Sequence, residues 1–374
     1  MSGGTGAMVP RLQGALPEAA RAERCWTSGL RASIIARLSG FVRPGPQRTR
    51  GAGFEVVRAA LPSRRGAQLI ALLFPGQGAQ QVGMGQALSA AFPSARRTFE
   101  EANDLLGYDL ARLCFEGPAE DLTSTRNCQP AILTNSVAAW RVAQEHGVTG
   151  DIAMGHSLGE YSALVACGSL SFDEALQLVQ ARGDATTDVT TTTPGQMVAL
   201  LGASDEDVEA LCIEAGEVWP ANYNGPGQVV ASGLHRGVER LLDLAKARGI
   251  KAKLLDVDGA FHSSVMAPAT EKLREALSTV KIATPSLPFL SATSGRFERG
   301  ERLRTLLAQQ LTAPVRFTQT VRLALDHGVD TFVEFGHRRV LIGLVRRIRP
   351  DVQAVHLGDP SDLPGLLAMA GREG

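Results

Sequence analysis

Short unbroken apolar runs alternate along this chain with longer segments in which apolar residues recur every three or four positions. That is the pattern of buried strands separated by amphipathic helices. The run Ile152-Ala153-Met154 ends at Gly155-His156-Ser157-Leu158-Gly159, and residues 160–167 after it read as a helix. Between residues 195 and 258 the pattern changes. Residues 197–201 predict a strand, 205–215 a helix capped by Ser204, 218–223 and 228–232 two strands around Asn224-Gly225-Pro226-Gly227, 238–248 a helix and 253–257 a strand. That β-α-β-β-α-β order is ferredoxin-like. It interrupts a larger α/β region, so residues 195–258 are expected to form a small subdomain and residues 67–194 with 259–350 a large one. A cleft between two such bodies suits a small molecule with a long arm. Residues 351–374 are expected to form a C-terminal tail.

Composition adds to this picture mainly through charge. The 374 residues are 44% hydrophobic, ample for a substantial core. No run approaches the roughly 18 to 20 apolar residues of a spanning helix, so no membrane span is expected. The formal charge of zero hides an asymmetry. Residues 1–66 hold eleven arginines and no lysine against three glutamates, or +8, while the remainder sets 27 basic against 35 acidic residues, or −8. Within that leader, Leu30, Ile34, Ile35, Leu38 and Phe41 recur at helical spacing with Arg31 and Arg37 opposite, as in an organelle-targeting helix. A disordered extension or an over-long start is the competing reading, favoured by the loose opening Ser2-Gly3-Gly4-Thr5-Gly6 and by the lack of a clear cleavage signal. The cytoplasm is therefore the expected location, with mitochondrion or plastid the alternative if residues 1–66 are a transit peptide. Five cysteines without C-x-x-C pairing point to buried thiols in a reducing compartment. No metal site, dinucleotide fingerprint or P-loop is visible, and no nucleic-acid partner is expected.

The chemistry concentrates at Gly155-His156-Ser157-Leu158-Gly159. Strand, tight turn and helix in that order are the context in which the serine of G-x-S-x-G becomes a nucleophile. Gly155 and Gly159 admit close backbone approach, Ser157 is expected in strained dihedrals, and the Leu158 amide at the helix start can stabilise an oxyanion. An accidental glycine pair around a serine is the alternative. A serine hydroxyl needs a base, and the chain offers seven histidines. His156 reads as elbow packing, His146 as a helix-end partner and His337 as part of a solvated basic run, while His235, His327 and His356 lie in unsuggestive surroundings. His262, in Gly259-Ala260-Phe261-His262 after a predicted strand, is the leading candidate, although a histidine there is more often structural.

Phe74-Pro75-Gly76-Gln77-Gly78-Ala79-Gln80, Gly155-His156-Ser157-Leu158-Gly159-Glu160-Tyr161, Arg182-Gly183 and Gly259-Ala260-Phe261-His262 together resemble the malonyl-CoA:acyl carrier protein transacylase family, with the related acyltransferase domains of polyketide synthases. The similarity runs from about residue 69 to about residue 349, with four motifs in register. It implies an α/β-hydrolase-like large subdomain carrying the ferredoxin-like insertion. It also implies malonyl transfer from malonyl-CoA to the phosphopantetheine thiol of an acyl carrier protein through an ester on Ser157, by a monomer with no bound cofactor. His262 would be the general base and acid, and the backbone amides of Gln77 and Leu158 would form the oxyanion hole. Arg182 would hold the malonyl carboxylate with its planar fork. The main-chain carbonyl of Gln310 would orient the histidine in place of a carboxylate. Phe261 would favour malonyl over methylmalonyl units by limiting room at C2. Fatty acid synthesis is the expected destination and polyketide synthesis the alternative. A serine hydrolase of α/β type would need an acid to orient the histidine, and a noncatalytic docking subunit would not need Ser157 and His262.

Two departures from the family pattern matter. Gly336-His337-Arg338-Arg339 replaces a Gly-Pro-Gly turn, so a different turn is expected there. A threonine-rich run from Thr186 to Thr193 follows Arg182-Gly183, and threonine is a mediocre helix former, so a looser wall beside Arg182 is expected. Arg316, Arg322, Arg338, Arg339, Arg346, Arg347 and Arg349 give the last third a basic bias, which reads either as a docking face for an acidic carrier or as ordinary surface charge.

Overall fold

The computed structural model describes residues 68–371. The basic leader, its predicted amphipathic helix and Cys25 lie outside the described residues. Ten strands run in chain order: β1 (Ile70–Phe74), β2 (Ile152–Gly155), β3 (Gly195–Leu201), β4 (Val218–Gly225), β5 (Gln228–Leu234), β6 (Lys251–Asp258), β7 (Phe289–Ser291), β8 (Arg296–Glu298), β9 (Thr331–Phe335) and β10 (Gln353–Leu357). Among the described residues the helices are α1 (Gln86–Ala91), α2 (Pro93–Leu106), α3 (Leu110–Glu116), α4 (Ala119–Thr123), α5 (Thr125–Glu145), α6 (Gly159–Ala166), α7 (Phe172–Thr192), α8 (Asp205–Ala215), α9 (His235–Ala247), α10 (Ala267–Thr279), α11 (Arg302–Gln309), α12 (Phe317–Asp326), α13 (Val340–Ile348) and α14 (Leu363–Met369).

The large sheet has the order β10-β9-β1-β2-β7-β8, parallel except for the antiparallel β7–β8 edge. The unbroken apolar run of β1 follows from burial on both faces. Leu72 and Phe74 join the core built with α5, α6 and α7, while Ala71 and Leu73 join a second core with Phe332, Val321, Leu341 and Val345. Alternate residues point to opposite faces, so a strand covered twice must be apolar throughout. Phe335 stacks on Phe74 at 5.5 Å between ring centroids and meets Trp140 edge-on at 5.3 Å.

The second sheet, β4-β5-β3-β6, is antiparallel throughout, with β5 and β3 central. Val198, Leu200, Val229 and Ala231 from its strands close a core with Val208 and Leu211 of α8 and Val238 and Leu241 of α9. Ser204 caps α8 by accepting from Asp207 N, as its position suggests.

Two expectations are corrected. Residues 353–369 are not a tail. Val355 and Leu357 pair in register with Val333 and Phe335, so β10 extends the parallel sheet, and α14 follows a turn in which Asp359 and Asp362 cap each other's backbone. Nor does the threonine run loosen the chain, since α7 continues through it to Thr192. Thr186, Thr187, Thr191 and Thr192 each turn their hydroxyl onto a carbonyl one turn back, at 2.7 to 3.0 Å. Lys272 of α10 pairs with Asp188 of α7 at 2.6 Å. Tertiary packing on α10 outweighs the weak propensity.

Truncation of Phe335 to Ala removes both aromatic contacts from the middle of the core. The expected loss is about 3 to 5 kcal/mol, measured as a fall in the urea midpoint without a change in slope. A loss below about 1 kcal/mol would show that this cluster does not anchor the sheet.

Candidate active site

Strands β1, β2 and β9 are adjacent and parallel, so the loops that follow them emerge at one edge of the sheet, the usual place for ligand chemistry in an α/β fold. The segment Pro75-Gly76-Gln77-Gly78 follows β1, and the elbow follows β2. His156 N donates to Phe74 O at 3.0 Å, which ties the two together. Ser157 takes φ 51°, a left-handed value unusual for a residue with a side chain. The flanking glycines are required by contact. A Cβ on Gly155 would lie 2.1 Å from Gly159 C, and one on Gly159 would lie 1.9 Å from Phe74 O. Gly76 is held as tightly, since its Cβ would meet His156 O at 2.5 Å.

His262 arrives from beyond β6, after Gly259 at φ 129°, and itself adopts φ 61°. Its Nε2 is 2.8 Å from Ser157 Oγ. On the far side of the ring, Nδ1 lies 2.9 Å from Gln310 O and 3.0 Å from Ala313 O. Carbonyls only accept, so Nδ1 carries the proton and Nε2 is left to accept from the serine. Burial, reinforced by the Arg182 cation, pushes the His262 imidazole down to about 3, against the pull of the two carbonyls. It is a neutral base at ordinary pH. The segment carrying both carbonyls is braced from the second sheet, because Val315 exchanges backbone hydrogen bonds of 2.8 Å with Tyr223 N and Ala221 O of β4.

Arg182 is fully buried on α7, 0% exposed. Its Nη1 donates to Gln129 Oε1 at 2.6 Å and its Nη2 to Ser157 Oγ at 3.2 Å, while Nε is unpartnered among the described residues. None of the ion pairs among the described residues involves it. Desolvation lowers its pKa, opposed by Tyr161, Cys128 and Glu160 nearby. A buried guanidinium with spare donors and no carboxylate is a site for an anion. Arg182 and His262 therefore meet at one serine oxygen.

The remaining candidates are placed as follows. Leu158, buried, is the N-cap residue of α6, and Gln77 sits in the loop packed against the elbow. Neither backbone amide donates to a backbone carbonyl among the described residues. The Gln77 side chain instead reaches Cys128 Sγ at 3.4 Å. Phe261 is buried in the core beside Gly259, whose Cβ would lie 3.0 Å from its ring. His156 is packing, as expected, with Nε2 2.8 Å from Asn224 Oδ1 and its ring against Phe317. The basic residues of the last third do not share one direction. Arg338 reaches Gly78 O, Arg347 packs on Gly225, and Arg339 and Arg346 turn toward Asp362 and Ala354 O.

Sequence reasoning missed Gln129, which accepts from Arg182, and Ala313, whose carbonyl meets His262 Nδ1. Pro130, buried inside the 21-residue α5, was the one local irregularity that marked the neighbourhood of Gln129. Ala313 acts through its carbonyl, which no side-chain pattern reveals. The turn after β9 is held by Glu334, whose carboxylate accepts from the amides of Val340, Leu341 and Ile342 at 2.9 to 3.0 Å.

A strained serine thus lies against a neutral imidazole, with a buried guanidinium that lacks a carboxylate partner beside them. The family model described as acyl transferase domain matches residues 71–354, and the chain belongs to that family. It is 42% identical over 301 residues to the malonyl CoA-acyl carrier protein transacylase of Bacillus subtilis (strain 168), covering 79% of this chain and 95% of that relative. The protein of the same name from Escherichia coli (strain K12) is 40% identical over 305 residues, covering 80% and 99%. Among solved structures, the acyl-carrier-protein-S-malonyltransferase of Bartonella henselae superposes with TM-score 0.79 at 39% identity, covering 81% of this chain and all of that one. A malonyl-transacylase in complex with a type II PKS acyl-carrier protein matches with TM-score 0.79 at 40% identity and the same coverage.

Two outcomes follow from the geometry. Gly159→Ala should fail to form the elbow, seen as loss of soluble protein or a drop of several kcal/mol in stability, because the clash is with backbone. Wild-type stability with this variant would mean that the close approach is absent. For His262, the folded-state value lies below the ordinary value of 6.5, so the unfolded chain takes up a proton that the folded one refuses. Stability from this group is lost as pH falls from about 6.5 toward about 3. The imidazole resonances of His262 should show no protonation at pH 5, and a midpoint near 6.5 would contradict this.

Proposed function

We propose that the protein transfers the malonyl group of malonyl-CoA to the phosphopantetheine thiol of an acyl carrier protein through an ester on Ser157. The hydrogen bond of 2.8 Å from Ser157 Oγ to a His262 whose tautomer is set by two carbonyls is the observation that carries it. Names of relatives and the matched acyl transferase family support the same substrate and acceptor.

In the first half-reaction Ser157 Oγ attacks the thioester carbon as His262 Nε2 takes the hydroxyl proton. The tetrahedral oxyanion rests on the amides of Gln77 and Leu158, the latter at a helix start. Collapse breaks the carbon–sulfur bond, and the departing CoA thiolate takes the proton back from the imidazolium. In the second half the carrier thiol gives its proton to His262 and attacks the ester carbon, and Ser157 recovers that proton on leaving. Arg182 holds the malonyl carboxylate throughout with donors that otherwise lack an anion. Neither step calls on a bound cofactor, and one chain supplies every group named, in keeping with an enzyme that acts as a monomer. Phe261 narrows the pocket at C2, a preference worth roughly 1 to 3 kcal/mol per methyl group.

The finer architecture belongs to the same reading. An α/β-hydrolase-like large subdomain is supported by the elbow after β2, and a ferredoxin-like insertion over residues 195–258 by the order β4-β5-β3-β6 with two helices on one face. The cytoplasm is the matching compartment, in keeping with four buried free thiols at Cys114, Cys128, Cys167 and Cys212. Fatty acid synthesis is the destination we assign. The solved complex with a type II PKS carrier favours polyketide supply as the second reading, and the two differ only in the acceptor.

Radiolabelled malonyl-CoA should label the wild-type protein and not Ser157→Ala, and added holo carrier protein should remove the label without release of free malonate. Label that persists in Ser157→Ala, or free malonate forming as fast as malonyl-carrier, would overturn the assignment. Arg182→Ala should lose at least about a hundredfold in kcat/KM for malonyl-CoA while its ratio of acetyl-CoA to malonyl-CoA use rises. An unchanged ratio would remove Arg182 from carboxylate recognition.

A further inference from the structure

Among the described residues Glu160 is the carboxylate buried beside this site, and the scheme above does not use it. It opens α6 three residues after Ser157 and is 1% exposed. Its Oε1 accepts from Ser291 Oγ at 2.7 Å and from Thr293 N at 3.2 Å. Its Oε2 accepts from Thr293 Oγ1 at 3.0 Å and from Gln310 Nε2 at 2.6 Å. An amide nitrogen can only donate, and each oxygen faces one, so the set of partners matches an ionised carboxylate. Desolvation pulls the other way and raises its pKa, and the four donors oppose that pull.

Gln310 is the link to the chemistry. Its side-chain nitrogen also donates to Ser157 O at 2.9 Å, while its main-chain oxygen receives His262 Nδ1–H at 2.9 Å. Serine, histidine and glutamine thus form a closed ring: hydroxyl to imidazole, imidazole to Gln310 carbonyl, Gln310 amide back to the carbonyl of the same serine. Glu160 fastens that ring from the side. With Gln310 only 1% exposed, no water competes for its side chain.

We propose that Glu160 is a positioning residue for the acyl transfer, holding the Gln310 peptide and through it the His262 ring. Ser291 and Thr293, at and just beyond the end of β7, become the residues that keep this carboxylate ionised and aimed.

The inference rests on Ser157 and His262 being the reacting pair, and the test separates the two. Phenylmethylsulfonyl fluoride, a neutral serine reagent, probes that pair without involving Arg182 or CoA. Glu160→Gln should slow both sulfonylation and the malonyl-CoA burst by about ten- to a hundredfold, with KM for malonyl-CoA within about twofold of wild type. Gln310→Ala, which keeps the main-chain carbonyl, should do the same, and the double variant should be no slower than the worse single one because both break one strut. Gln310→Ala also carries the test if Glu160→Gln fails to fold. Folded variants reacting at the wild-type rate with both reagents, or fully additive losses, would overturn the role of Glu160. Ser157→Ala still taking up either reagent would instead overturn the assignment of the nucleophile.

Discussion

Everything at this site depends on how closely the backbone after β2 can approach the end of β1. With Gly159 in contact range of Phe74 O and Gly155 against Gly159 itself, the chain has no freedom to place Ser157 except at the left-handed φ it adopts. That strain is sustained by the doubly covered sheet on either side, where Leu72, Phe74 and Phe335 fill one core and Ala71, Leu73 and Phe332 the other. A softer sheet would let the elbow relax, and the hydroxyl would turn away from its base.

Electrostatics then divides the labour. The imidazole is kept neutral by burial and by Arg182, and its tautomer is set by two uncharged acceptors, so proton affinity is low before the substrate arrives. The guanidinium is the reverse case, a charge held in the interior with amide and hydroxyl partners only. In the proposed reaction its desolvation is offset when the substrate carboxylate binds, which makes recognition of that anion and activation of the serine parts of one charge balance.

The two sheets are coupled through this same cluster. Val315 belongs to the segment that supplies the Gln310 and Ala313 carbonyls, yet it pairs with β4 of the smaller sheet. His156, inside the elbow, reaches Asn224 of the same strand. A shift of the smaller sheet therefore moves both the histidine support and the elbow.

Much of this was legible in the chain itself, for local reasons. Glycine spacing around Ser157 reports a close approach, because only a missing Cβ permits it. The six elements from β3 to β6 announce themselves through period, caps and turns that depend on neighbours in sequence. Residues 353–369 were misread as a tail because a short edge strand is defined by its partner, here β9, and not by its own composition. The threonine run was misjudged for the same kind of reason, since hydroxyls turned onto α7 and the packing of α10 override propensity. Carbonyl acceptors such as Ala313 O, the Gln129 brace on Arg182 and the Glu160–Gln310 contact join residues from 50 to 150 positions apart. Sequence by itself determined which residues can do the chemistry, because side-chain type and local turn geometry are carried by the chain. Tertiary structure alone decided protonation, orientation and charge balance, because these depend on burial and on backbone groups that every residue possesses and no sequence pattern distinguishes.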